Sequence, residues 1–196
     1  MGQHFRALFL ACLAGCTTYG ATNSPVTDAN AIALPAVLGT WADDDSVVAG
    51  SGDLCLTLEP TEAPTSYRLR NLCEDSGDVT LTVQFARFGG ELMAVARRAT
   101  SDSSLSGDDS VLLLYNFFRI RIDGDSMFIR LIDADSLRSY LKAHPGDLEF
   151  ALLGGNGPDL LVTDTSAELA QFLAAHARDA MLWGGEDEEQ GLQRIW

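Results

Sequence analysis

The side chains that could do chemistry in this sequence are few. Four cysteines stand at positions 12, 16, 55 and 73, and three histidines at 4, 144 and 176. Metal binding needs clustered ligands, and neither His144 nor His176 has a His-x-His or Cys-x-x-Cys neighbour. His176 shares the apolar face of a helical segment with Leu169, Phe172 and Leu173, which assigns it to packing. Asp43-Asp44-Asp45 and the stretch Asp102 to Asp109 offer oxygen ligands to Ca²⁺, yet neither has EF-hand spacing, and both read as solvated loops. No Gly-x-Ser-x-Gly precedes a helix. Gly154 to Gly157 lacks the Lys-Ser/Thr of a phosphate loop. The Asp-Ser pairs at 125–126 and 135–136 have structural roles as turn and cap. Phe117, Phe118 and Trp41 read as core rather than as a ligand cage. The expectation is a protein that is not an enzyme, with no catalytic residue, no metal site and no cofactor. A pocket on which two or more titratable groups converge would reopen the enzyme reading.

Cys16 is the position with a defined chemistry. Residues 1–15 run from a positive start at Arg6 through a short apolar stretch, Ala7 to Leu13, to small residues. That stretch is far below the roughly 20 residues of a spanning helix, and the order of features is that of a secretory signal. It ends in Leu13-Ala14-Gly15-Cys16. This resembles the lipobox of bacterial lipoproteins. The resemblance implies that the Cys16 thiol carries a diacylglyceryl group, that the chain is cut before Cys16, that Leu13 fills an apolar recognition pocket, and that Ala14 and Gly15 let the peptidase reach the backbone. The competing reading is an ordinary buried helix with Cys16 as a core thiol. Thr17 stands where an Asp would favour inner-membrane retention, so in a Gram-negative cell the outer membrane is expected. One acyl chain binds only marginally, and the two or three chains of a mature lipoprotein make attachment effectively permanent.

The charge agrees with a partner list that excludes nucleic acid. The net charge is −15 and the pI near 4.3, and no Lys/Arg cluster offsets the excess along the sequence. Such a surface repels phosphate backbones and anionic headgroups. The expected partners are the membrane, through the N-terminal lipid, and either a small hydrophobic ligand or an envelope protein.

The rest of the chain must supply the body. Residues 1–15 form the signal, 16–36 the lipidated cysteine and a flexible tether rich in Thr, Asn, Ser and Pro, 37–183 the folded domain, and 184–196 an acidic, frayed tail. The tether would hold the domain roughly 25 Å from the membrane. Within the domain, Leu54, Leu56 and Leu58 alternate, as do Val79, Leu81, Val83 and Phe85 against Thr80, Thr82 and Gln84. Val111 to Ile122 and Asp125 to Ile132 form a hairpin about Asp123-Gly124. With that turn, Ile120 faces Met127, Phe118 faces Ile129, and Arg119, Arg121 and Arg130 point the other way. Residues 133–143 read as a short helix that stops before Pro145. Thr165-Ser166-Ala167-Glu168 is a capping box that opens a second helix.

Gly39-Thr40-Trp41 opens this strand-rich domain. The motif, the meandering strands and the helix after Thr163-Asp164-Thr165-Ser166 resemble the layout of uncharacterised bacterial lipoproteins with a lipocalin-like domain. The resemblance implies a mainly β (α+β) fold: an antiparallel lipocalin-like β-barrel, or a strongly curved sheet, with one short inserted helix and one C-terminal helix. It also implies that Trp41 plugs the closed end of the barrel. It names no ligand or activity.

Cys12 leaves with the signal, so Cys55 and Cys73 remain in an oxidising compartment. Folding their hairpin about residue 64 sets them opposite each other. A disulfide there closes a loop of about 18 residues, worth around 3 kcal/mol in the chain-entropy treatment. Two buried thiols or a redox pair are the alternatives. For function, the first expectation is a membrane-anchored module that binds a small apolar ligand in its barrel. The alternative is an envelope structural or interaction protein with a filled barrel and a protein partner.

Overall fold

A computed structural model describes residues 19–43, 55–71, 80–98, 114–153, 160–183 and 189–195. Seven strands form an up-and-down meander: β2 (Gly39–Ala42), β3 (Cys55–Pro60), β4 (Ser66–Asn71), β5 (Thr80–Phe88), β6 (Glu91–Arg98), β7 (Tyr115–Asp123) and β8 (Ser126–Leu131). Each pairs antiparallel with the next. β11 (Gln190–Arg194) pairs with both β8 and β2, and so closes an eight-stranded barrel. The protein is mainly β, with the lipocalin-like antiparallel barrel expected of it.

Side chains alternate across the barrel wall as period-2 strands require. Leu81, Val83 and Phe85 of β5 point inward, while Thr80, Thr82 and Gln84 are half-buried on the outside. On β5, β6 and β7 part of the outer face is buried too. Ala86, Phe88, Met93, Val95 and Phe117 belong to a second apolar cluster, packed under α1 (Ala134–Ala143), α2 (Ser166–Ala175) and α3 (Ala180–Trp183). Burial on both faces explains the adjacent apolar pair Phe117-Phe118 in β7, one ring in each cluster, whereas Arg119 and Arg121 alternate with Ile120 and Ile122 beyond it. Gly89, in the turn between β5 and β6, has φ +57° and lies against α2. A Cβ there would run into the Ala174 carbonyl oxygen, so only glycine permits this approach.

The helices begin where the sequence signals them. Asp133 caps α1 by accepting from Ser136 N–H at 2.7 Å. Thr165 and Glu168 form the reciprocal capping box of α2. Three short strands extend the sheet: β1 (Tyr19–Ala21) runs parallel to β10 (Leu160–Val162), β10 pairs with β9 (Phe150–Leu152), and β1 joins β7 where Ala21 faces Tyr115.

Three expectations are corrected. The residues from Tyr19 onward are not a free tether. β1 is fully buried, and the Tyr19 hydroxyl donates to the Phe117 carbonyl at 3.0 Å and accepts from the Phe117 N–H at 3.2 Å. Residues 32–38 then cross one end of the barrel. Ile32 bridges to Phe85, Leu34 N–H donates to the Tyr67 hydroxyl, and Val37 is buried. Nor is the tail frayed throughout, because Gln190–Arg194 is a barrel strand whose single buried apolar side chain is Leu192. The helix at 166–175 is therefore inserted before the last strand, and is not C-terminal. Finally, the β7–β8 turn centres on Gly124 and Asp125, with Ile120 opposite Ile129 and Phe118 opposite Leu131. Gly124 takes φ +59° and Asp125 does not take positive φ, the pattern in which glycine fills the first central position. The pairing moves by two residues, so every side chain keeps its predicted face.

Candidate functional site

A ligand carried by this fold would sit inside the barrel. That space is lined entirely by apolar side chains, among them Leu56, Leu69, Val83, Phe118, Ile120 and Met127, and its free volume is about 30 Å³. Ala94, in register with Phe118, shows how it is filled: a small residue gives way to the neighbouring ring. The remaining void holds about two water-sized spheres and offers a water no polar partner.

Trp41 packs beside the segment 35–38. Its side chain is fully buried within the barrel cluster, and its Nε1 donates to the Val37 carbonyl at 2.8 Å. Arg194 of β11 lies against the ring, with its guanidinium carbon 4.6 Å from the centroid.

Outside the barrel, polar groups converge in two clefts. The first lies on the outer face of β7 and β8 and is lined by Arg119, Arg121, Arg130, Glu91, Arg178 and Glu189. Strand alternation puts the first three on one face, as expected from the hairpin. Glu189 arrives with β11, one residue before Gln190, which pairs with Ile129. Arg178 follows α2. Glu91 Oε1 is 2.6 Å from Arg178 Nε, and Glu189 Oε2 is 2.8 Å from Arg121 Nη2. Burial, and then the nearby Arg130 charge, lower the pKa of Arg119 from its ordinary value.

The second cleft lies between α1, α2 and the chain around Asp147. The Tyr140 hydroxyl donates to Asp147 Oδ2 at 2.6 Å and stands 3.1 Å from His176 Nε2. His176 Nδ1 is 3.5 Å from Asp179 Oδ2. The hydrogen bond to Asp147 holds the phenol in its protonated form, with a pKa pushed up to about 12. Asp164 lines the same cleft and is nearly buried. Burial raises the pKa of its carboxyl, although Oδ2 accepts from Glu149 N–H at 2.7 Å. The members of this cleft are committed to one another and to backbone: Tyr140 and His176 tie α1 to α2, and Asp164 ties α2 to the start of β9. His176 packs on α2 as its apolar face predicts, and it also meets the Tyr140 hydroxyl, a partner 36 residues away that no spacing signals.

Of the site residues named from sequence, Trp41 and Cys55 are described, and Cys55 is buried at the start of β3. Leu13, Ala14, Gly15, Cys16 and Cys73 lie outside the described residues, as do Asp44, Asp45 and residues 102–109. The β3–β4 register pairs Leu56 with Asn71 and Pro60 with Tyr67, so that hairpin turns between residues 63 and 64. Among the described residues no group of three His, Cys, Asp or Glu side chains could hold a metal. No helix there is long and apolar enough to cross a membrane.

Comparison with protein-family models, with curated proteins and with solved structures finds no match. Function is therefore read from the geometry.

Proposed function

We propose that this chain is a lipid-anchored protein of the bacterial cell envelope, related to lipocalin-like lipoproteins, whose barrel is filled by its own side chains and which acts without catalysis through its outer surface and a partner. The observation that favours it over a ligand carrier is the interior. A void of about 30 Å³ compares with the roughly 300–1,000 Å³ of sites that enclose small molecules.

Leu13-Ala14-Gly15-Cys16 supports the anchor, and the position of β1 changes its consequence. Only Thr17 and Thr18 separate Cys16 from Tyr19, a reach of roughly 10 Å instead of the roughly 25 Å of a free tether. The folded body then rides at the membrane surface. Tyr19, Leu160 and Leu152 stand in one row across β1, β10 and β9. Leu152 is 54% exposed, so an apolar side chain faces outward at the end of the sheet from which the chain departs toward Cys16. A Cys55–Cys73 disulfide belongs to the same exported setting. Thr17 favours the outer membrane if the cell has one.

The test has two arms. Cys16→Ser should leave the signal uncut and abolish acylation, whereas processing and membrane sedimentation that persist in this variant would overturn the anchor. A fluorescent fatty acid should show no saturable binding to the purified domain, and stoichiometric binding would restore the carrier reading.

A further inference from the structure

We propose that the cleft on the outer face of β7 and β8 is an oxyanion site, centred on Arg119 and Arg130, that takes a doubly charged group of phosphate size. It deepens the surface-acting reading above but does not depend on the lipid anchor.

Arg119 and Arg130 are direct cross-strand partners. Like charges in that relation repel. Their row runs from Met93 on β6 through Arg119 and Arg130 toward Glu189, next to β11. Arg121 follows two residues along the same face, and Arg178 closes in from the end of α2. The cleft these residues line has a volume of about 530 Å³. In a chain with 13 Lys and Arg against 28 Asp and Glu, four guanidiniums meet two carboxylates.

Both carboxylates are already engaged. Glu91 is held by Arg178 at 2.6 Å, and Glu189 by Arg121 at 2.8 Å. Arg130 reaches Glu189 only at 3.6 Å. Its side chain is 7% exposed, and its Nε, buried, has no hydrogen-bond partner among the described residues. Arg119 donates to the Ala177 carbonyl at 3.2 Å and lies 5.9 Å from the Trp183 ring centre, which leaves most of its fork unused among the described residues. A buried donor without an acceptor is costly, and guanidinium forks match the oxygens of phosphate in pairs. Among the described residues the cleft has two excess positive charges, which equal the charge of a phosphate dianion. A dianion between Arg119 and Arg130 would convert their repulsion into two charge-assisted pairs. Burial first, and then the Arg130 charge, lower the pKa of Arg119.

The test is titration of the full mature chain with inorganic phosphate at low ionic strength, followed by calorimetry and by the shift in Tm. Wild type should bind one phosphate saturably and melt higher in its presence, and sulfate should compete where chloride does not. Arg119→Gln and Arg130→Gln should each bind about tenfold more weakly or worse and lose the phosphate-dependent rise in Tm. Arg68→Gln, an exposed change on β4, should behave as wild type. Because the two cleft variants relieve repulsion, either should fold at least as well as wild type in phosphate-free buffer, and one folded variant suffices. Vesicles of phosphatidylcholine with phosphatidic acid, compared with phosphatidylcholine alone, identify the source. Competition with phosphate by the former alone assigns a lipid headgroup, and no competition assigns a free anion. Absence of saturable binding by wild type, or equal weakening in Arg68→Gln, would overturn the site. So would phosphate binding that appears only after Glu186, Asp187 and Glu188 are changed to Gln, Asn and Gln, since the chain's own acids would then be the occupant.

Discussion

Arg194 and Trp41 are register partners on β11 and β2, and their side chains fix the same turn of backbone. Trp41 Nε1 donates to the Val37 carbonyl and an Arg194 amino group to the Ala36 carbonyl, while the guanidinium lies over the indole. The last strand is thus locked to the segment that crosses the barrel end. Arg194→Ala should cost about 2 kcal/mol, from a partly desolvated cation–π contact and a charged hydrogen bond, and lower Tm accordingly. Arg194→Lys should recover less than half of this, because an ammonium cannot stack and reach the carbonyl together. Full recovery by Lys would show that only the charge matters.

A filled barrel resists enlargement of its small residues. Ala94→Leu adds methylenes beside Phe118 and should destabilise by about 1–3 kcal/mol, where a hollow ligand site would accept it at little cost. The converse, Phe118→Ala, should cost about 3–5 kcal/mol and open a dry cavity. Benzene should then raise the Tm of this variant and leave wild type unmoved. Denaturant unfolding with and without benzene measures both.

Asp164 makes stability depend on pH. Burial raises its folded pKa above the ordinary 3.8. The folded state therefore holds its proton more tightly than the unfolded chain. The stabilisation is complete below the unfolded value and is lost as pH rises through the folded one. Asp164→Asn keeps an acceptor for Glu149 N–H without the buried charge, so it should equal or exceed wild type at neutral pH and flatten the decline above the unfolded pKa. Asp164→Ala leaves that N–H unpaired and should lose about 1–3 kcal/mol. Urea unfolding across the acidic range checks the contrast, and an Asn variant as unstable as the Ala variant would refute it.

Tyr140 predicts an alkaline signature. Its phenol, held to Asp147, ionises near 12 rather than 10. The link it makes from α1 to Asp147 is therefore intact below the ordinary phenol pKa and is lost as pH passes about 12. Ultraviolet titration should show this transition, Asp147→Asn should move it toward 10, and Tyr140→Phe should remove it. An unmoved transition in Asp147→Asn would place the cause elsewhere.

What was legible in the sequence was local. Leu81, Val83 and Phe85 alternate, Gly124 marks a turn, and Thr165 with Glu168 announces α2, so the meander and both long helices could be read off. β1 could not, because Tyr19-Gly20-Ala21 is too short for a period and is held by β10, whose Leu160–Val162 lies far along the chain. β11 was missed for the same reason: Leu192 is its one fully buried apolar side chain, and its stability comes from two flanking strands. The arginine cleft was half legible. Alternation aimed Arg119, Arg121 and Arg130 outward together, whereas Glu91, Arg178 and Glu189 reach them from three distant segments that no spacing connects.

The central claim is an acylated envelope protein with nothing but its own side chains inside the barrel. Intact-mass spectrometry of the protein purified from bacterial membranes, first under native and then under denaturing conditions, tests it most directly. The account predicts a chain that begins at Cys16 with two or three acyl groups, and the same mass in both measurements apart from exchangeable ions. A chain that still carries residues 1–15, or an apolar molecule that stays bound natively and is released on unfolding, would contradict it.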